Sequence, residues 1–529
     1  MISLLLVLIS LLPKISIAQE QGDSTVMEKT NIQSVGLDSL RVFKKERHTT
    51  YSVEAFGSLS SEEHTPFWMT NHKWGVVPLK ADNYYLQSGI FHNQLLNKNM
   101  SYGFGLDLVA SSKQSNKDQF WIQQAYGDVQ WKIFKLTVGI KEDYGSIVDA
   151  DLSTGDMVHS NNARPSPEIK ISIPEFTSFP VKNKIFYIKG DFAVGKFLDG
   201  KYLENTATPF NQNYTKDALL HRKSFYFRIG NIALKEKGFQ VIAGIEHHVQ
   251  WGGDLYFTAK NESYELPNSF NDLLHVVLAT SGVQESKNDA ADPKLRQATG
   301  SHIASYNFKV DYGTEYSDQI YSIYWQHIAE DMSGVKMQNY PDMLLGIQYK
   351  SKQEKLFSNV VFEYLYTKNQ SVSKTSGTTD TNSTPPETTA EREKTWPDDY
   401  YNNSTYPQGM SYFGRSLGNV LFLSPEYNDD GYLGFRRNRI MALHLGIDGY
   451  LSDQIQYTLL GTYGESINPH KSATLGKRTG FASGLDITYH FEKIKGFTVK
   501  CSVGYDCGEF FGSKTFGGGI SIKKTGKLF

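Results

Sequence analysis

From about Tyr84 to its C-terminus the chain alternates bulky apolar residues with small or polar ones, segment after segment, with turn residues between. In Tyr102-Gly103-Phe104-Gly105-Leu106-Asp107-Leu108 the large apolar side chains share one face and Gly, Gly and Asp take the other. Phe134, Leu136, Val138 and Ile140 oppose Lys135, Thr137 and Gly139, and Phe225, Phe227 and Ile229 oppose Tyr226, Arg228 and Gly230. Val241, Ala243, Ile245 and Val249 oppose Gly244, Glu246, His248 and Gln250 in the same way. Tyr306, Phe308, Val310 and Tyr312 oppose Asn307, Lys309 and Asp311, and Leu485, Ile487 and Tyr489 oppose Gly484, Asp486, Thr488 and His490. A period of two is the signature of a half-buried strand. Such segments number roughly sixteen to twenty, and closure of bacterial barrels favours an even count.

Two architectures share this alternation, a membrane barrel and a water-soluble sandwich or propeller. Aromatic residues make up 13% of the chain, with Tyr 32 and Phe 31 against Trp 7, and many stand at strand ends as interface girdles do. Mean hydropathy is only −0.42, as expected where every second residue faces a polar lumen. No repeat of the propeller kind appears, and the chain ends on the aromatic Phe529, although Lys523-Lys524-Thr525-Gly526-Lys527 interrupts the last alternation. The expected fold is a closed antiparallel transmembrane β-barrel with short helices in its loops. Leu4 to Leu12 form an apolar run too short to span a bilayer, and Ser16-Ile17-Ala18 follows as a small-x-small cleavage signal. Residues 1–18 therefore read as a signal peptide, 19–50 as a flexible periplasmic segment, and 51–529 as an outer-membrane barrel.

Within the barrel, residues 141 to 167 form a connection rich in Gly, Asp, Ser and Pro, and a polar cap at Pro267-Asn268-Ser269 precedes an apolar run to Leu278 that predicts a short helix. The Ser/Thr/Pro/Glu-rich stretch from Lys368 to about Tyr400 reads as a disordered excursion in a long extracellular loop near 368–408. A net charge of −2 excludes a polyanion-binding surface over the whole molecule, so no nucleic acid is expected as a partner. Cys501 and Cys507 would face one side of a strand about 20 Å apart, too far for a disulfide.

Several motifs invite chemistry. Gly414-Arg415-Ser416-Leu417-Gly418 matches a nucleophile elbow in spacing, but no helix signal follows the serine. His247 and His248 are neighbours on a strand and point to opposite faces, so they cannot share one metal ion; Glu246, His248 and Gln250 are expected to line the lumen. Glu330-Asp331 are adjacent carboxylates, poorly placed to straddle a glycosidic bond and better suited to a calcium site or a rim hydrogen-bond network. Neither a catalytic residue, a metal centre nor a cofactor is expected.

Specific stretches add a resemblance. Thr65-Pro66-Phe67-Trp68-Met69-Thr70-Asn71, Gln123-Gln124-Ala125-Tyr126-Gly127-Asp128, Leu152-Ser153-Thr154-Gly155 with Ser160-Asn161-Asn162-Ala163-Arg164-Pro165, Gly244 to Gly253, Tyr324 to Gly334 and Tyr412-Phe413-Gly414-Arg415 stand in order along the chain. Together they resemble the capsule-assembly Wzi family of Bacteroidetes-type bacteria, with Ala329 a departure where an aromatic is expected. The resemblance implies an eighteen-stranded, non-enzymatic outer-membrane lectin that binds capsular or other surface polysaccharide and helps hold it at the cell surface. Its other partners would be outer-membrane lipid and, during biogenesis, the barrel assembly machinery.

Sugar recognition calls for aromatic platforms beside Asn, Asp and Arg. Tyr400, Tyr401, Asn403, Tyr406, Arg415 and Trp251 supply that mixture and are the candidate glycan-binding residues, while Arg436-Arg437-Asn438-Arg439 suits either an acidic glycan or a charged collar. Glu246, His248, Gln250, Tyr324, Glu330, Asp331 and Arg164 are the candidate lumen network. A porin-like or nutrient-uptake channel and an outer-membrane hydrolase would share the same alternation.

Overall fold

The computed structural model describes residues 47–112, 119–179, 185–230, 238–279, 300–314, 317–330, 332–370, 399–467, 476–512 and 514–528. Two compact units, Met1–Val42 and Phe43–Phe529, divide the chain, and every described residue belongs to the second. The signal segment 1–18, most of the 19–50 lead-in, the stretch 371–398, Asp331 and Phe529 lie outside the described residues.

Eighteen strands form one sheet. They are β1 Arg47–Ser60, β2 Asn83–Asn97, β3 Met100–Ser111, β4 Phe120–Trp131, β5 Phe134–Ile140 and β6 Pro167–Ser178. Then come β7 Phe186–Lys196, β8 Leu219–Ile229, β9 Phe239–Trp251, β10 Ser301–Tyr312, β11 Gln319–Ala329 and β12 Met343–Ser351. The last six are β13 Asn359–Tyr366, β14 Arg439–Ser452, β15 Ile455–Ile467, β16 Arg478–His490, β17 Phe497–Cys507 and β18 Thr515–Lys527. Each pairs antiparallel with the next, and β18 returns to β1 with Thr50 opposite Lys527 and Ser60 opposite Gly517. Closure leaves no strand edge unpaired, the condition hydrocarbon imposes on a backbone. The lysines of β18 do not interrupt it: Lys523 lies opposite Glu54 in the register and its ammonium is 3.2 Å from that carboxylate.

The alternation in sequence becomes two surfaces. Ile323, Ile347, Phe362 and Leu445 are successive cross-strand partners on β11 to β14, and all are exposed on the outer face. One residue further along the same strands, Tyr324, Gly346, Glu363 and His444 make the parallel row inside. No helix among the described residues is long and apolar enough to cross a membrane; the strands do the crossing.

The two rims differ. Two-residue turns at 98–99, 132–133 and 453–454 lie on the rim where β1 begins and β18 ends, whereas the connections 61–82, 141–166, 197–218, 252–300 and 367–438 leave the opposite rim. In outer-membrane barrels the long connections lie outside the cell. Three of them carry helices: α1 Phe67–Thr70, α2 Gly200–Ala207 and α3 Phe270–Leu278. The last is the short helix its polar cap predicts.

Candidate functional site

The lumen is filled by its own loops. Tyr324 reaches across Gly346, where any Cβ would lie 2.1 Å from the tyrosine ring, and its hydroxyl donates to Glu363 Oε1 at 2.5 Å. Glu363 then receives Ser153 Oγ at 2.5 Å and both the amide and the hydroxyl of Thr154 at 2.7 Å. Next in the row, His444 bonds through Nε2 to the Leu152 carbonyl and through Nδ1 to Thr462 Oγ1, each at 2.7 Å. Trp68 of α1 donates Nε1–H to the same threonine at 3.2 Å, and the Phe67 amide donates to Asp506 Oδ2 at 2.7 Å. The inward row of β11 to β15 is thus a polar ledge on which connections 61–82 and 141–166 rest.

Residues 399–438 lock over them. The Asn419 amide group donates to Thr154 Oγ1 at 2.9 Å and to the Gly155 carbonyl at 2.7 Å, and Ser160 donates its N–H to Leu417 O and its hydroxyl to Gly418 O. Gln326 of β11 donates Nε2–H to Asp156 Oδ2 at 2.5 Å and accepts the Met157 amide at 3.2 Å. Leu152, Met157, Tyr400, Tyr401, Val420, Leu421, Phe422 and Phe435 form one apolar core with inward strand residues such as Leu344, Val361 and Ala442. Arg415 and Glu426 make a buried ion pair at 2.5 Å, each side chain 4% exposed, and Arg415 also donates to the Val77 carbonyl at 3.1 Å. A charged cluster stands further round the wall at β6 to β8, where Arg222 lies 3.0 Å from Glu168, 3.5 Å from Asp191 and 3.6 Å from Asp143.

The structure places the described lumen candidates as follows. Glu246 accepts a hydrogen bond from Tyr226, which crosses Gly244 as Tyr324 crosses Gly346. His248 is buried beside Phe197, with parallel rings and centroids 6.5 Å apart. Gln250 donates to the Gly409 carbonyl at 2.7 Å, and Glu330 accepts the Tyr401 amide at 2.5 Å. The Arg164 guanidinium sits 3.8 Å above the Trp121 ring and 4.8 Å above Phe413. Asp331 lies outside the described residues. Ser416 is fully buried in a two-residue strand, its hydroxyl on the Asn419 carbonyl at 3.3 Å, so no strand-to-helix elbow surrounds it. Cys501 and Cys507 are both free.

The glycan candidates sit mostly in the interior. Tyr400, Tyr401, Tyr406, Arg415 and Trp251 are all buried. Tyr400 donates to Asp342 Oδ2 at 2.8 Å and Tyr401 to the Met157 carbonyl at 2.5 Å, while Tyr406 donates to the Gly252 carbonyl at 3.3 Å. Asn403 folds its carbonyl oxygen back onto the Thr405 and Tyr406 amides. Trp251 packs with Val249 and Val276. In this structure the rings of Tyr400, Tyr401 and Tyr406 belong to the apolar core that anchors the plug, and their faces are covered.

An open cleft of about 640 Å³ does exist among the loops, lined by Glu62, Glu63, His64, Tyr427, Asp429, Asp430, Arg436 and Arg437 together with Phe510 and Phe511. Arg436 stacks 5.0 Å over the Tyr432 ring, donates to Asn428 Oδ1 at 3.0 Å and pairs with Asp430. Arg437 donates to the Glu509 carbonyl at 2.5 Å; burial, then the nearby Arg478, lower its pKa to about 10, leaving a cation at neutral pH. Aromatic edges, carboxylates and guanidinium groups around a cavity of this size can hold a polyhydroxylated ligand. Only the two arginines of this cleft stood out in the sequence; the rest comes from segments far apart in the chain.

The model for the family described as capsule assembly protein Wzi matches residues 84–424. The chain belongs to this family. Its fold is similar to the solved structure of Wzi from Escherichia coli, described as an outer-membrane protein involved in group 1 capsule assembly and a carbohydrate-binding β-barrel. That match has 13% identity and a TM-score of 0.52, and covers 89% of this chain and 83% of the E. coli protein. OccK3 of Pseudomonas aeruginosa also matches, at 8% identity and a TM-score of 0.39 over 92% of this chain and 96% of its own. No curated protein matches the sequence. This Wzi-family chain is therefore an outer-membrane barrel, and the eighteen strands that the resemblance implied are present.

Proposed function

We propose that this Wzi-family barrel binds a surface polysaccharide through the loop-rim cleft around Tyr427, Arg436 and Arg437, and so helps retain or assemble that glycan outside the cell. The observation that carries the reading is the filled lumen: with three loops bonded to the barrel wall, the interior is a scaffold that presents the rim. A diffusion channel needs open cross-section, which the buried core residues of 61–82, 141–166 and 399–438 occupy. The family membership and the carbohydrate-binding description of the E. coli protein support the ligand class. In the cleft, sugar hydroxyls would donate to Glu62, Glu63 and Asp429, and the guanidinium groups would donate to sugar oxygens or uronate carboxylates.

The test is binding of polysaccharide purified from the producing strain, measured by titration calorimetry on the reconstituted protein. Arg436→Ala with Arg437→Ala is expected to weaken binding at least tenfold, about 1.4 kcal/mol, while the barrel still migrates as a folded species on unheated gels. Full affinity in the double variant would move the site elsewhere. A wild-type conductance of porin size in planar bilayers would remove the scaffold reading altogether.

A further inference from the structure

The helix in connection 252–300 lies on the outside of the barrel. Its start is fixed by a capping box: the Ser269 hydroxyl accepts the Asp272 amide at 3.3 Å and the Asp272 carboxylate accepts the Ser269 amide at 2.8 Å. On β9 the outward face runs Phe239, Val241, Ala243, Ile245, His247, Val249 and Trp251. Phe239 and Ile245 are exposed, whereas His247, Val249 and Trp251 are buried, because α3 covers them. Val276 is wholly buried against Val249 and Trp251, Leu273 and Leu219 close the contact, and Lys223 donates to the Val277 carbonyl.

What α3 covers is a patch where the wall turns polar. His221, His247 and His302 stand on the outward faces of β8, β9 and β10, with His247 Nε2 3.0 Å from His302 Nδ1 and the His221 ring 6.2 Å from that of His247. Phe239 to Val249 is ten steps along the strand, about 33 Å along the chain and about 25 Å in height at a ~40° tilt. That height equals the apolar band of an outer-membrane barrel, so the helix sits where the hydrocarbon of the outer leaflet meets the headgroups.

The other faces of α3 match such a position. Phe270, Leu274 and Leu278 recur every fourth residue on one stripe and are 75%, 45% and 70% exposed. At about 100° per residue, Asn271, Asp272 and His275 fill the arc between this stripe and the wall-facing Val276. An apolar stripe next to a polar one, on a helix whose third side is docked, is the division expected of a segment lying in a membrane interface.

We propose that α3 is an outer-leaflet helix, with Phe270, Leu274 and Leu278 inserted among lipid acyl chains so that the apolar belt continues over the histidine patch. The occupant follows from continuity. On the same stretch of wall Phe225, Ile245 and Phe308 are exposed belt residues immediately below the helix, and the outer membrane is where this family's barrels reside.

The test uses the full chain in nanodiscs, with Cys501→Ser and Cys507→Ser, and a nitroxide attached at Leu274→Cys. Ile245→Cys serves as the belt reference and Glu262→Cys as the water reference. Collision with oxygen is expected to dominate over collision with a nickel chelate at Leu274 as at Ile245, with an oxygen-to-nickel ratio several-fold above that at Glu262. A ratio like that of Glu262 puts the stripe in water and overturns the proposal. So does screening from both reagents, which would mean that a second copy or another protein covers it. Phe270→Cys repeats the measurement one turn earlier, and both side chains are exposed enough to be replaced without disturbing the core.

Discussion

Replacing Glu363 with alanine should release the plug while sparing the barrel. The carboxylate accepts from Ser153, from Tyr324 and twice from Thr154. A buried donor left without its acceptor costs about 1–3 kcal/mol. The three hydroxyls can rotate toward neighbours or water, but the Thr154 amide is fixed by its backbone. Counting that amide in full and the hydroxyls in part gives about 3–5 kcal/mol against the closed plug, hence between about 10² and 10⁴ more of the open form. Hydrogen exchange of residues 150–158 should accelerate by that factor, with the strand amides of β11 to β14 unchanged, and planar bilayers should show brief openings absent from the wild type. Glu363→Gln keeps one acceptor but turns an amide donor toward Thr154, so it should lose roughly half as much. Exchange at Thr154 within twofold of the wild type in the alanine variant would refute the ledge as the support of the plug.

Three further perturbations probe neighbouring contacts. Arg415→Met removes the cation paired with the buried Glu426 carboxylate and should destabilise the packing of residues 399–438 by about 3–5 kcal/mol, seen as faster proteolysis of connection 367–438; adding Glu426→Leu should restore most of the resistance. Gly446→Ala places a Cβ 2.4 Å from the Leu152 carbonyl and should cost about 1–3 kcal/mol in thermal unfolding, whereas Gly461→Ala, with nothing nearer than 3.9 Å, should be silent. Asp199 precedes α2 and accepts the Phe413 amide at 3.2 Å, and burial raises its pKa to about 7. The folded chain therefore holds the proton more tightly than the unfolded one. Stability should be full below pH ~4, decline as pH rises toward 7 and stay low above, by at most about 4 kcal/mol; α2 amide protection measured from pH 5 to 8 should fall, and Asp199→Asn should flatten the profile.

The sequence exposed the wall of this protein far better than its interior. Period two is written locally, so Phe362 and Leu445 declare their outward face without knowledge of each other, and closure follows once no edge can remain in lipid. The same pattern marks Glu246, His248, Gln250 and Tyr324 as inward but says nothing of what meets them. Glu363 was passed over because one acid in Val361-Phe362-Glu363-Tyr364 looks like any lumen residue; its role depends on Ser153 and Thr154, more than two hundred positions away. The burial of the tyrosines is hidden from the sequence for a related reason. Composition near Tyr400, Tyr401 and Tyr406 suits a sugar platform and a plug core equally, since both need rings with a polar tip. What separates the two is whether the loop turns outward or folds into the barrel, and that is decided by contacts such as Asn419 on Thr154 and Gly155. In a barrel whose lumen is packed, the binding surface is therefore left to whichever loop atoms the plug does not consume, and the cleft at Tyr427, Arg436 and Arg437 is where such atoms gather.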